Sequence, residues 1–165
     1  MAINAEQLRE YVIRPALKRV DLWSPAAEDL LLGTAAHESA MGTYIKQIKG
    51  PALGIYQIEP ATHLDIWENY LKYKTGLRDK IIATIPPMLR NTRQGFERRG
   101  EHSMLITDLA YATIMARICY LRAPTALPPE GDLQGYAAYW KQYFNTPLGA
   151  GTEQQYAAHF QKYIA

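Results

Sequence analysis

The chain has 165 residues, 48% of them hydrophobic and 21% charged, with a net charge of +2. That length suits one domain with a sizeable core, and so small a charge gives no reason to expect nucleic acid as a partner. The single cysteine, Cys119, excludes an intrachain disulfide, and no stretch approaches the roughly 20 apolar residues of a membrane span.

The opening segment, MAINAEQLREYVIRP, is acidic in part and has no long apolar run. It does not read as a secretory signal, so the expected product is made in a cytoplasm and stays soluble. Asn4 with Gln7 three residues on predicts a capping box. The helix that follows carries Leu8, Val12 and Ile13 on one face, and Pro15 should kink or break it. Ser24-Pro25 predicts a second helix start, an N-cap followed by Pro at the first helical position. That helix should run to about Ala40, with Glu28 and Asp29 favouring its dipole and Gly42 as a stop.

Residues 41–48 show no clear pattern, and Gly50-Pro51 marks a turn. Residues 53–58 predict an extended segment or small hairpin ended by Pro60, and 61–73 a helix with Leu64, Trp67 and Leu71 in register. A basic insertion follows at about 74–100, with Arg78, Lys80, Arg90, Arg93, Arg98 and Arg99 around the apolar run 81–85. It reads as a solvated helical insertion or as an anion-binding or docking face. Residues 107–122 predict a buried helix, apolar nearly all round. A Pro-rich loop (123–131), an aromatic helix (133–144, with Tyr136, Tyr139, Trp140 and Tyr143) and a last short helix (152–163) complete the chain.

Leu31, Thr34 and Glu38 share one helix face. A carboxylate ending an apolar stripe is partly desolvated, which raises its pKa toward what a general acid near neutral pH requires. The same position would also suit a structural ion pair. There are 12 Tyr against 3 Phe and 3 Trp. Tyr offers a flat face and a hydroxyl, suited either to sugar rings or to half-exposed sites in a helical protein. His37, His63 and Cys119 read as structural. No His/Cys/Asp cluster has metal-ligand spacing and no glycine-rich phosphate loop is present, so neither a metal nor a cofactor is expected.

Glu38-Ser39, the turn Gly50-Pro51-Ala52-Leu53-Gly54, then Gly54-Ile55-Tyr56-Gln57 and Pro60-Ala61-Thr62 together resemble the ordered motifs of lytic transglycosylases and goose-type lysozymes. Tyr120-Leu121-Arg122 is similar to the end of that family's buried helix. Gly135-Tyr136-Ala137-Ala138-Tyr139 is similar to the lead-in to its Ala-Tyr-Asn-Ala-Gly motif. The chain departs from the pattern at Trp140, where Asn is usual, with an Asn only at Asn145. It also lacks a Ser between the Glu and the turn, where Gln47 is near.

The resemblance implies a mainly α, lysozyme-like single domain (1–165) with a minimal β element near 53–58. It implies cleavage of peptidoglycan glycan strands at the MurNAc–GlcNAc β-1,4 bond. Glu38 would act as acid and then base, with Tyr139 orienting it. Gln57 and the backbone around Tyr56 would bind N-acetyl groups, and Asn145 would contribute to substrate binding. Hydrolysis instead would need a water-positioning carboxylate, and Glu59 and Asp65 are the nearest in sequence. The style is similar to small phage-encoded wall-degrading proteins, acting at the bacterial wall as a virion component or lysis protein. The rival expectation is a non-catalytic virion protein of the same fold that binds wall or partner proteins.

Overall fold

The computed structural model describes residues 1–91 and 99–165. Arg93 and Arg98, two members of the expected basic face, lie outside the described residues. The protein is mainly helical, with almost no strand.

Helix α1 (Ala5–Leu8) begins at Asn4, whose side chain accepts the Gln7 backbone N–H at 3.0 Å. It passes through a π-turn (Arg9–Ile13) into α2 (Arg14–Arg19). Of the kink or break expected at Pro15, the break does not occur, and the chain continues as a second helical segment to Arg19. The turn before Pro15 is widened, the Arg14 N–H reaching back to the Arg9 carbonyl. A π-turn just before proline lets the chain absorb the missing N–H and the bulk of the ring.

Helix α3 (Pro25–Ser39) starts where Ser24-Pro25 predicts, Ser24 Oγ accepting the Ala27 N–H at 3.1 Å. It is buried along most of its length. Glu28 is not simply a dipole residue. It is 2% exposed and receives Arg9 Nη1, both Arg14 Nε and Nη2, and Trp23 Nε1. This cluster ties the first helical stretch to α3.

Helices α4 (Pro60–Asn69) and α5 (Thr75–Thr84) follow the central turn. Then come the strands β1 (Arg90–Asn91) and β2 (Arg99–Gly100), antiparallel with Arg90 opposite Gly100. The short α6 (Met104–Thr107) leads into α7 (Leu109–Leu121), capped by Asp108 through the Tyr111 N–H. Helix α8 (Leu133–Trp140) runs into a second π-turn (Lys141–Asn145), and α9 (Glu153–Tyr163) opens with a Thr152/Gln155 capping box.

Helix α9 packs on both α3 and α8, and α7 packs on α2, α3 and α4. Thr34 Oγ1 on α3 meets Tyr120 Oη on α7 at 2.7 Å, and Tyr156 Oη on α9 donates to the Leu30 carbonyl at 2.9 Å. Gly33 makes the second approach possible, because a Cβ there would lie 2.1 Å from Tyr156 Oη.

The expected β element at 53–58 reduces to isolated bridges from Leu53 to Lys46 and to Ile58. The only paired strands among the described residues are β1 and β2, inside the basic insertion. No helix among the described residues is long and apolar enough to cross a membrane.

Candidate active site

Glu38 lies in the last turn of α3, half-buried, at the wall of a cleft of about 760 Å³. The end of the helix is built to hold it. Ser39 is fully buried; its hydroxyl donates to the Ala35 carbonyl and accepts the Gly42 N–H at 2.9 Å. Ala40, Met41 and Gly42 then take left-handed conformations in succession (φ 50°, 54° and 76°) and turn the chain away. Two of these are not glycine, and such backbone persists only where the surroundings impose it. Here the buried Met41 side chain and the Met41 carbonyl, which accepts the Ile3 N–H at 2.8 Å, impose it.

The next part of the cleft comes from the turn at 53–58. Leu53 and Ile58 exchange both backbone hydrogen bonds, at 2.9 and 3.0 Å. Gly54 has φ +76°, and a Cβ there would fall 1.8 Å from the Leu105 carbonyl oxygen, so only glycine fits. Tyr56 is fully buried, and its hydroxyl meets Thr113 Oγ1 on α7 at 2.9 Å. Its side chain is therefore an anchor rather than a substrate contact. Gln57, left-handed at φ 50°, lines the cleft while its Nε2 donates to the Gly54 carbonyl at 2.8 Å.

The remaining wall comes from the end of α7 and the π-turn after α8. Arg122, Tyr143, Phe144 and Asn145 line it. Phe144 stacks on Tyr120 at 5.2 Å, and Asn145 Oδ1 accepts Lys141 Nζ at 2.9 Å. Cys119, expected as a core residue, is half-buried and also lines the cleft. Burial pushes its thiol up to about 12, so it stays protonated.

The partner of Glu38 is not Tyr139. The Tyr139 hydroxyl donates to the Thr125 carbonyl at 2.8 Å, on the loop after α7. Its helical neighbour Trp140 donates its indole N–H to Glu38 Oε1 at 2.8 Å. Successive helix residues point about 100° apart, so only one of the two can face α3. The sequence does mark Trp140, as the residue standing where the resembled family has Asn. Nothing in its spacing reveals the long contact to Glu38.

Burial pushes the Glu38 carboxyl up, the Trp140 hydrogen bond pulls it back, and the result is about 7. Among the described residues no charged side chain contributes to that shift. An ion-paired structural glutamate would move the other way, as Glu28 does. Burial raises the Glu28 carboxyl too, but its hydrogen bonds from Arg14, Trp23 and Arg9 hold it below its ordinary value.

The other expected residues separate. Glu59, exposed, lines the same cleft as Glu38. Asp65 does not; it accepts Arg122 Nη2 at 2.6 Å and Asn69 Nδ2 at 2.7 Å. His63 is buried and hydrogen-bonded to the Tyr111 hydroxyl at 2.5 Å. His37 faces His159, Nδ1 to Nδ1 at 3.0 Å, and burial lowers its pKa to about 4. Among the described residues no group of three or more His, Cys, Asp or Glu side chains is placed to hold a metal ion.

Such a cleft presents one carboxyl poised to give and take a proton near neutral pH, beside aromatic faces and amide groups. Comparison of the chain with known protein families, with curated proteins and with solved structures gives no match.

Proposed function

We propose that this protein cleaves peptidoglycan glycan strands at the MurNAc–GlcNAc β-1,4 bond on a lysozyme-like fold, with Glu38 as acid and then base. The observation that carries this reading is the Glu38 carboxyl itself. It is desolvated, has no cationic partner among the described residues, is held near pKa 7 and is set in a cleft of about 760 Å³. A group titrating there is substantially present in both forms at neutral pH, which one residue serving both roles requires.

In the first step the protonated Glu38 gives its proton to the glycosidic oxygen. The C1–O bond breaks with its electron pair going to that oxygen, leaving an oxocarbenium-like sugar and a Glu38 carboxylate. In the second step the carboxylate takes a proton from the hydroxyl that attacks C1. If that hydroxyl is the sugar's own 6-OH, the product is a 1,6-anhydro sugar; if it is water, the product is a reducing end. Glu59 in the same cleft supports the second route as an alternative, since a further carboxylate could orient the water. Gln57 and Asn145 offer amides for the N-acetyl groups, and Tyr143 and Phe144 offer faces for the rings. Action at the bacterial wall, as a phage lysis or virion protein, belongs to the same proposal.

Mass spectrometry of peptidoglycan digested by wild type and by Glu38→Gln tests it. Anhydro-muropeptides that vanish in the variant are expected for the transglycosylase. Reducing-end products keep Glu38 and turn attention to Glu59. A folded wild-type protein that binds wall but releases no products, unchanged by Glu38→Gln, refutes the enzyme and favours a non-catalytic wall-binding virion protein.

A further inference from the structure

We propose that Trp140 is the positioning residue of this site: its indole N–H holds Oε1 of Glu38, so that Oε2 is the oxygen that carries the proton and releases it. The inference rests on reading Glu38 as the acid of the site, and it adds what sets that acid's geometry.

The indole is immobilised from several directions. Trp140 is fully buried at the end of α8. Tyr156 of α9 stacks on it at 5.3 Å, and the His37 ring of α3 meets it edge-on at 4.3 Å. Gly151 closes over its far edge, where a Cβ would lie 2.7 Å from the indole Cη2. His37 is itself held by His159, and Tyr156 by the Leu30 carbonyl. The N–H therefore reaches Oε1 at 2.8 Å from a fixed direction.

An indole donates and cannot accept. A tyrosine in the same place could reverse its hydrogen bond as Glu38 changes state; Trp140 cannot. In the acid form the carbonyl oxygen is the better acceptor, so Oε1 stays on the indole and the proton sits on Oε2. In the carboxylate form the same bond becomes charge-assisted and stronger. No side chain has to reorient between the acid step and the base step. Among the described residues no donor is hydrogen-bonded to Oε2. One donor thus both aims the carboxyl and tempers the effect of burial on it.

The test uses the whole 165-residue chain without substrate, so its outcome is separate from whether peptidoglycan is digested. The indole N–H resonance of Trp140 is followed by NMR against pH, with Trp23 and Trp67 as internal controls. It should move with the Glu38 carboxyl titration and lose that midpoint in Glu38→Gln. In Trp140→Phe the Glu38 midpoint, now followed by the 13C resonance of its side-chain carboxyl, should rise by about one unit or more, as expected for loss of a hydrogen bond to a charged group. Trp140→3-benzothienylalanine, which keeps the shape and removes the N–H, gives the same reading if the phenylalanine variant does not fold. An indole resonance that ignores the Glu38 titration, or a Glu38 midpoint unchanged or lowered in either variant, overturns the proposal.

Discussion

Two opposed influences meet on Glu38: burial disfavours its charge, and one indole N–H favours it. Their balance links function to stability. The carboxyl moves from an ordinary 4.5 to about 7 in the folded protein. Between those values the native state binds more protons than the unfolded chain. Stability contributed by the neutral form is complete below the unfolded value and is lost as pH rises through 7. Glu38→Gln should therefore change the melting temperature little at pH 4 and raise it at pH 8, by about 1–3 kcal/mol of stability. Thermal melts at the two pH values check this. Activity should fall about tenfold per pH unit above 7, because the acid step needs the proton. A pH–rate profile flat from 6 to 9 would remove Glu38 from the acid role.

At the scale of elements, the site depends on α3 and α9 lying close enough for Tyr156 to reach the Leu30 carbonyl. Gly33 sits inside a helix, where glycine costs about 1 kcal/mol relative to alanine. That cost is the smaller effect. A Cβ would meet Tyr156 Oη at 2.1 Å, and Tyr156 is fully buried and hydrogen-bonded, so it cannot swing away. Gly33→Ala should destabilise the protein by about 1–3 kcal/mol net. It should also disturb Trp140, which stacks on the displaced tyrosine. Denaturant unfolding together with tryptophan fluorescence reads both effects. An increase in stability would show that the α3–α9 contact is looser than described.

Across the whole molecule, Glu38, Gln57 and the stretch from Trp140 to Asn145 come from three separate segments of the chain and are brought together by the packing around Trp140. The last helix contributes nothing to the cleft lining, yet it covers Trp140 and His37. A chain lacking residues 153–165 should lose wall cleavage and its near-ultraviolet circular dichroism together, because the aromatic packing behind Glu38 goes with α9. Cleavage at the wild-type rate by that shortened chain would refute the supporting role given to this helix.

What was legible in the sequence is local. Ser24-Pro25 and Asn4 announce their elements because a cap is decided within a few residues. Glu38 at the end of an apolar helix could be read as desolvated for the same reason. The π-turn ahead of Pro15 was not legible, since it is a compromise between local sterics and the packing of Ile13 and Leu17. Nor was the choice of Trp140 over Tyr139, which turns on how α8 is rotated against α3, or the parting of Glu59, which lines the cleft, from Asp65, which pairs with Arg122, 57 residues along the chain. By itself, then, the sequence determined a mainly helical chain and the carboxyl best suited to hold a proton. Only the tertiary structure decided which donor holds that carboxyl and which residues share its cleft, because long-range pairs depend on relative helix rotation, and no single helix encodes that.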